Sequence, residues 1–284
     1  MNADSRILYL YGVVPCGQPL PTSEGFSLEA IAYSGLAAIV ESVSAMEFSP
    51  EILEQKLQRV DWIAPLAQKH TAVLEHILQH GPVVPARLCT LFSSAAALTH
   101  LLVQNEQQFQ DRLRWLEGRQ EWGVKIFCHE DRLRSLIGSS DPDVQALEAA
   151  AAAASPGQAY VLRKKRDGRV AELVSARIEE VVDEVLDALA AVAVETRLRS
   201  VLSDAVTGRR EAMVVNAALL VDIPGCPTFR AAAGDLESRL DAEGFALELT
   251  GPWPPFSFCE DDNGEDDNDN GDASVDEPAS DEAS

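Results

Sequence analysis

The chain has 284 residues, of which 46% are hydrophobic and 24% charged, a composition typical of a soluble globular protein. Its formal net charge is -23. Twelve acidic residues lie in residues 260–284, which contain no Lys or Arg, so the rest of the chain carries about -11. This acidity argues against non-specific binding to nucleic acid or anionic membranes, and no apolar run reaches the roughly 18 residues that a membrane-spanning helix needs.

The first half of the sequence predicts a small unit of strands and helices. Pro65 is expected to kink or split the first long helix, and Pro85 is expected to place its strand at a sheet edge or a bulge. The expected elements are strands at 7–14 and 36–43, a helix at 50–78, a strand at 83–92 and a helix at 94–117.

The pattern restarts after Gly118. Asp141-Pro142 and Ser155-Pro156 are each typical of a helix cap followed by a first-turn proline, and the second pair opens a long amphipathic helix. A later helix is expected at 228–244. The expected strands are 121–127, 197–203, 211–221 and 245–249.

This β-α-β-β-α-β order predicts a ferredoxin-like sheet with a long crossover helix and one face left uncovered by its own helices. The fold class expected is therefore α+β with two domains. These are an N-terminal α+β domain at 1–118 and a C-terminal ferredoxin-like domain at 119–259. Residues 260–284 are too polar to fold and are expected to form a disordered acidic tail.

The cysteines show no spacing typical of a metal site or a redox pair. Their number is odd, and no secretory signal is recognised, so reduced thiols in a cytosolic protein are expected. They are Cys16, Cys89, Cys128, Cys226 and Cys259.

Three histidines, His70, His76 and His80, lie on the helix expected at 50–78. His76 and His80 are four residues apart, which would place two metal ligands on one helix face. No acidic or cysteine residue is spaced to complete such a site. Solvated helix histidines are the favoured interpretation, and no metal is expected.

The tail contains a match to the EF-hand loop pattern. It runs from Asp266 through Asn268, Asn270 and Gly271 to Glu277. A calcium loop must be clamped between two helices, and neither flank here is helical. A chance match with weak divalent binding is therefore favoured over a specific calcium site.

Residues 163–166, Arg-Lys-Lys-Arg, form the strongest basic cluster. A short basic run on an acidic chain is usually a solvated helix face, and this interpretation is favoured. The alternatives are that the cluster binds an acidic partner or the protein's own tail. No phosphate-binding loop, nucleophile motif or metalloprotease helix is recognised, so no catalytic residue and no cofactor are proposed.

Six sequence blocks resemble, in the same order, those of the gas vesicle protein GvpF/GvpL family, over roughly residues 6–258. Cys89 stands where that family usually has glycine, which puts a close backbone approach in question. The blocks are YLYGVV near the start, GPVVPARLCTLF at 81–92, EWGVKIF at 121–127, PGQAYVLRKKRD at 156–167, LSDAVTGRREAMVVNAALLVD at 202–222 and LTGPWPPFSF at 249–258.

The resemblance implies two α/β-type domains, the second ferredoxin-like, and brings no catalytic residues. It implies a non-enzymatic assembly factor or minor vesicle component, located in gas vesicles and the cytoplasm. The implied partners are the apolar major shell protein, whose aggregation it would limit during vesicle nucleation, and other gas vesicle proteins. The alternative is a small-molecule-binding or regulatory protein that uses the open face of the ferredoxin-like sheet.

The candidate partner-binding residues are Arg87, Trp253, Phe256 and Phe258. Proline fixes φ, so the prolines of residues 249–258 would hold the three rings in a stiff extended path. The alternative is that the rings pack on the sheet as core, which is slightly favoured for Trp253 and Phe258. Arg87 is either a buried ion-pair donor or an exposed contact.

Overall fold

A computed structural model describes residues 6–20 and 27–259, and shows a mixed α+β protein with two sheets. The predicted tail and its calcium-loop pattern lie outside the described residues. In chain order the elements are β1 (Arg6–Pro15), β2 (Leu28–Tyr33), β3 (Leu36–Ser44), α1 (Pro50–Lys56), α2 (Val60–Leu78), β4 (Val84–Pro85), β5 (Leu91–Phe92), α3 (Ala95–Gln104), α4 (Glu106–Leu116), β6 (Arg119–Cys128), α5 (Glu130–Ser140), α6 (Pro142–Ala153), α7 (Pro156–Ala190), β7 (Glu195–Leu198), α8 (Asp204–Thr207), β8 (Ala212–Asp222), α9 (Cys226–Glu243) and β9 (Phe245–Trp253).

The first sheet has the order β2-β3-β1-β4, and β5 also pairs with β1. Strand β1 pairs with β3 from Arg6 opposite Ser44 to Pro15 opposite Leu36, with a register shift between Leu10 and Gly12. Both faces of β1 are buried, which explains its near-continuous apolar sequence. Residues of α2 pack on one face, and residues of α3 and α4 pack on the other.

The second sheet has the order β7-β8-β6-β9, with all neighbours antiparallel. Alternate residues of β6 and β8, such as Val124 and Leu219, form a core with α7 and α9 on one face. The residues between them point to the opposite face, where Ala218 and Leu220 pack with Leu116 and Phe258. One face is therefore covered by helices, and the other is covered in part by Leu116 and the chain after β9.

The expected strand at 83–92 is wrong in extent. The structure has two short strands there, β4 and β5, joined by a turn in which the Thr90 amide donates to the Arg87 carbonyl at 3.2 Å. Cys89 in this turn has φ of 62°, the left-handed conformation that glycine adopts without strain. Two antiparallel pairings to β1 replace one long strand, because the turn at 87–90 interrupts the ladder.

Three further boundaries differ from expectation. The long N-terminal helix breaks at residues 57–59, and Pro65 lies inside α2, where its ring nitrogen lacks one helical hydrogen bond. The helix expected at 94–117 is two helices that meet at Asn105. Strand β2 is not among the expected elements; three of its six residues are exposed and none is fully buried, so its apolar signal is weak.

The second half follows its capping signals closely. The Asp141 side chain accepts a hydrogen bond from the Val144 amide at 2.9 Å, and Ser155 precedes the 35-residue α7. The strand expected at 197–203 is wrong in position: β7 ends at Leu198. The last strand continues four residues beyond its expected end, to Trp253.

Gly12 allows β4 to approach β1. A Cβ at Gly12 would lie 2.7 Å from the Val84 carbonyl oxygen and 2.9 Å from Val83 Cγ2, closer than packed atoms tolerate. We expect Gly12→Ala to lower the free energy of unfolding by about 1–3 kcal/mol, as overpacking does. Urea denaturation measures this loss.

The matched control is Gly168→Ala in α7, where a Cβ would meet open space. This variant is expected to keep the stability of the wild-type protein or to raise it by up to about 1 kcal/mol, because alanine favours helix. Unchanged stability of Gly12→Ala would show that β4 does not approach β1 as described.

Candidate functional site

Residues 254–259, here called the crossing segment, follow β9 and contact both sheets. Phe256 packs against the core of the first sheet, and Phe258 packs against residues of the second. Pro254 and Pro255 are buried. Their fixed φ and missing N–H groups let the chain leave the sheet without burying an unpaired donor. The segment is therefore the part of the site that connects the two halves of the molecule.

His70 of α2 is the residue on which Phe256 packs. The two rings stack with centroids 6.1 Å apart, and the His70 ring also stacks on Tyr11 of β1 at 5.4 Å. His70 Nε2 lies 3.0 Å from the Ala86 carbonyl oxygen and so carries the proton. Nδ1 therefore accepts a hydrogen bond from the Tyr9 hydroxyl at 2.9 Å.

The hydroxyl groups beside His70 are also bound. The Tyr9 oxygen accepts a hydrogen bond from the Cys89 amide at 3.2 Å, and Tyr11 donates to Glu41, which also pairs with Lys69. Burial raises the pKa of both tyrosines, and burial lowers the pKa of His70. Each of these buried groups is held in its neutral form by its surroundings.

Ser257 lies between the two phenylalanines and is held by polar contacts. Its amide donates to Glu121 Oε2 at 3.0 Å, and its hydroxyl donates to Glu121 Oε1 at 2.6 Å. Arg197 donates to the Ser257 carbonyl at 2.8 Å, and Arg199 donates to the Ser257 hydroxyl. Glu121 is buried and lies 3.8 Å from Arg199, so a buried carboxylate receives the hydrogen bonds that it needs.

Phe258 is fully buried among Leu116, Ala218 and Leu220. Its ring lies 6.1 Å from that of Trp115, and the Arg197 guanidinium lies 5.3 Å from its centroid. The structure therefore places this predicted contact residue in the core, as the alternative interpretation of the sequence has it. In this conformation Phe258 has no surface for a partner.

The other three predicted contact residues differ in their exposure. Phe256 is partly buried, and Arg87 is exposed in the turn between β4 and β5. Trp253 is 38% exposed, donates from Nε1 to Thr250 at 3.1 Å and packs over Gly123 on the second sheet. Phe256 and Phe258 thus anchor the crossing segment, whereas Trp253 and Arg87 reach solvent.

An exposed apolar group follows the edge strand β7. We call Leu198, Val201, Leu202 and Val206 the apolar edge group; Leu198 is 67% exposed and Val206 is 69% exposed. Single exposed apolar residues are ordinary, but four within nine residues beside a sheet edge are typical of an interaction surface. The group is not recognised from the sequence, because Leu198, Val201 and Leu202 are assigned there to a strand at 197–203.

The other candidate sites have local explanations. His76 and His80 each contact a carbonyl oxygen four residues earlier through Nδ1. Within residues 6–20 and 27–259, no group of three or more His, Cys, Asp or Glu side chains is placed to hold a metal ion. In the basic cluster, Arg166 pairs with Glu148 and Asp167, as expected for a solvated helix face.

The alternative function, small-molecule binding or regulation, would use the face of the second sheet that its helices leave uncovered. The crossing segment and Trp253 occupy part of it, at Leu220 and Gly123. A concavity of about 510 Å³ lies elsewhere, among side chains of α5, α6 and α7 that include Arg134, Glu148 and Arg166. In the described part of the chain, no helix is both long and apolar enough to span a membrane.

Comparison with known proteins gives one consistent result. The family model described as gas vesicle synthesis protein GvpL/GvpF matches residues 7–260. Gas vesicle protein L of Streptomyces sp. (strain CB03234) is 27% identical over 264 residues, which cover 91% of this chain and 94% of that protein. Gas vesicle protein L2 of Halobacterium salinarum is 24% identical, with 83% of this chain and 82% of that protein covered.

Two solved structures share the fold. The crystal structure of GvpF from Anabaena sp. PCC7120 matches with a TM-score of 0.63 and 18% identity, covering 90% of this chain and 97% of that one. GvpF from Microcystis aeruginosa matches with a TM-score of 0.59 and 18% identity, covering 89% and 99%.

The buried His70 predicts a pH dependence of stability. Its folded-state pKa is lowered by burial from the ordinary value of 6.5, so below pH 6.5 the unfolded chain takes up a proton that the folded protein does not. The stability contributed by neutral His70 is complete above pH 6.5 and is lost as the pH falls through the folded-state pKa. The expected loss is about 1.4 kcal/mol for each unit by which the pKa is lowered.

The measurement is urea denaturation of the wild-type protein and His70→Gln at about pH 7.5 and about pH 5. Glutamine can donate and accept hydrogen bonds but does not titrate. The variant should therefore lose less stability than the wild-type protein on acidification, which separates His70 from the many carboxylates. Equal losses in both proteins would show that His70 does not set this dependence.

Glu121 predicts a second effect on stability. Glu121→Ala leaves the Ser257 amide and hydroxyl without their acceptor and removes the carboxylate that pairs with Arg199, and we expect a loss of about 2–4 kcal/mol. The control is Glu248→Ala on the same sheet face, which breaks a partly exposed pair with Arg209. This control should cost no more than about 1 kcal/mol in urea denaturation, and similar losses in both variants would contradict the role of Glu121.

Proposed function

The chain belongs to the gas vesicle synthesis protein GvpL/GvpF family, and from this membership we propose that it is a non-enzymatic assembly factor or minor component of gas vesicles. Its partner in this proposal is the apolar major shell protein, whose aggregation it limits during vesicle nucleation. Contacts with other gas vesicle proteins, and a location in the cytoplasm and at the vesicle, belong to the same proposal.

The physical need for such a partner follows from the shell itself. A wall that excludes water from a gas space needs subunits with large apolar surfaces, which aggregate before assembly unless a soluble protein covers them. A covering protein needs exposed apolar side chains of its own, and it must stay soluble. The net charge of -23 favours solubility.

The apolar edge group is the observation that carries the proposal. It lies beside β7, the outermost strand of the second sheet, and includes the exposed Leu198 of that strand. A sheet edge can bind an extended segment through backbone hydrogen bonds, and neighbouring apolar side chains then bind the segment's apolar residues. An apolar shell subunit has the chemistry that this surface accepts.

The residues chosen from the sequence take different roles in this proposal. Trp253 and Arg87 remain candidate contacts because both are exposed. Phe256 and Phe258 act indirectly, by fixing the crossing segment. This assignment explains why aromatic residues and prolines crowd into residues 249–258: most of them hold the two halves together.

We also infer that the chain has the domains 1–118 and 119–259, followed by the tail at 260–284. The strand order β7-β8-β6-β9, with α7 and α9 on one face, supports a ferredoxin-like second domain. The crossing segment then serves as an interdomain connection, which places Phe256 against the core of the first domain and Phe258 against the sheet of the second.

The test is co-purification of the major shell protein with tagged variants of this chain. We expect Leu198→Asp combined with Val206→Asp to reduce recovery of the shell protein at least tenfold, because two charges in an apolar contact cost about 1–3 kcal/mol each. Suppression of shell-protein aggregation, followed by light scattering, should weaken in parallel.

Val60→Asp is the matched control. Val60 is an exposed valine, 77% accessible, at the start of α2 in the other half of the chain. The Val60→Asp variant should bind the shell protein as the wild-type protein does. Unchanged binding by the double variant, or equal losses in the control, would overturn the assigned surface, and normal vesicles in a deletion strain would overturn the function.

A further inference from the structure

Helix α7 separates its charges by sign along its length. Residues 163–169 contain five basic residues and one acidic residue, whereas residues 172–187 contain six acidic residues and one basic residue. Its first turn holds no acidic residue and its last turn no basic residue, although the helix macrodipole favours acidic residues at the start and basic residues at the end. The stability of the helix therefore does not explain this arrangement.

Charges of both signs lie on one exposed face of α7. Residues that share a face of a helix recur every three or four positions, and the exposed residues of α7 follow this spacing from its basic end to its acidic end. We call this face the α7 stripe; its central residues are Lys164, Lys165, Gly168, Ser175, Glu179 and Asp183, all exposed.

The chain does not use the charges of the α7 stripe internally. The stripe has a lysine pair, Lys164 and Lys165, and an acidic pair, Glu179 and Asp183. Among the described residues, none forms an ion pair with any of these four. The neighbouring Arg166, outside the stripe, does pair with Glu148 of α6. The charges of the stripe are therefore available to another molecule.

The positions of these charges match those of a second, antiparallel copy of α7. A twofold axis places each residue of one helix opposite the residue that is equally far from the midpoint on the other. The midpoint of Lys164 and Asp183 lies between residues 173 and 174, and the midpoint of Lys165 and Glu179 lies at residue 172. The two midpoints are less than about 3 Å apart along the helix, so one axis brings both pairs into contact.

The middle of the stripe permits the two helices to approach. Gly168 and Ser175 are small and exposed there, and a Cβ at Gly168 would meet open space. Small side chains at a contact favour the short end of the interaxial range of about 8–10 Å. Glu172, at the midpoint, pairs with Arg169 of its own helix at 3.5 Å, which reduces repulsion between the two copies of this carboxylate.

We propose that the α7 stripe binds the α7 stripe of a second copy of the chain. The helices are antiparallel, so the lysine pair of each copy meets the acidic pair of the other. An acidic segment of another protein would use only the basic half of the stripe, whereas a second copy uses both halves. The inference goes beyond the proposed function, and its test needs no shell protein.

The experiment measures molar mass by sedimentation equilibrium at about 0.1 M NaCl, where repulsion between the two acidic proteins is screened beyond about 10 Å. At about 0.2 mM protein, a concentration suited to a weak complex, we expect the wild-type protein to form dimers. Reversal of the lysine pair (Lys164→Glu with Lys165→Glu) or of the acidic pair (Glu179→Lys with Asp183→Lys) should give monomers, because like charges then face each other. The two reversals change the net charge in opposite directions, so a general effect of net charge does not explain a loss of dimers in both.

Recombination of the reversed charges identifies the contact. An equimolar mixture of the two reversed variants should form heterodimers, and the variant with all four changes should form dimers as the wild-type protein does. The matched control is Arg163→Glu with Arg210→Glu, two exposed residues outside the stripe whose reversal changes the net charge as the lysine-pair reversal does; it should remain dimeric.

Circular dichroism checks that each variant folds. If a reversed variant does not fold, Lys164→Gln with Lys165→Gln, or Glu179→Gln with Asp183→Asn, replaces it, and a lower dimer fraction is expected. A monomeric wild-type protein, dimers of either reversed variant alone, or a mixture that stays monomeric would each overturn the proposal.

Discussion

The arrangement of the two sheets depends on one short connection, in which Phe256 packs on His70 and Phe258 fills the opposite core. Burial of each aromatic side chain stabilises the fold by about 1.5–3 kcal/mol, but apolar contacts alone do not fix the register of the segment against the two sheets. Ser257 fixes the register, because its amide and hydroxyl both donate hydrogen bonds to the buried Glu121. Sliding the segment by one residue would separate this carboxylate from its donors and would put Ser257 in the position of one of the rings. The connection therefore has a single favourable register.

The chemistry of this connection explains its unusual composition. Two buried prolines precede Phe256 and have no amide protons to satisfy, so the chain can turn away from β9 without a desolvation penalty for free N–H groups. The Ser257 carbonyl, a hydrogen-bond acceptor in this segment, accepts a hydrogen bond from Arg197. On the other sheet, neutral His70 uses both ring nitrogens, one for Tyr9 and one for the Ala86 carbonyl. These polar groups at the junction thus pair with each other.

Local signals in the sequence predicted much of the fold, and the distant contacts could not be predicted. The α+β class, strand β1, the cap at Asp141 and the helix start after Ser155 follow from periodicity and turn chemistry within a few residues. The break at residues 57–59 has no Gly or Pro to mark it, so no local signal in the sequence predicted it. The site depends on pairs separated by 61 residues, Tyr9 with His70, and by 136 residues, Glu121 with Ser257. A single sequence contains no information on such pairings, which is why the crossing segment was noticed by its composition while its partners were missed.

Strand β7 belongs both to this junction and to the proposed binding edge. Arg197 of β7 and Arg199, which directly follows this strand, both donate hydrogen bonds to Ser257, and the intervening Leu198 is exposed. Alternation along a strand requires this division, since adjacent side chains point to opposite faces. Strand β7 is thus fixed in place by the crossing segment while its apolar residue stays available. A strand that is held in place loses little conformational entropy when a partner binds, so an exposed side chain on it, such as Leu198, can contribute useful affinity.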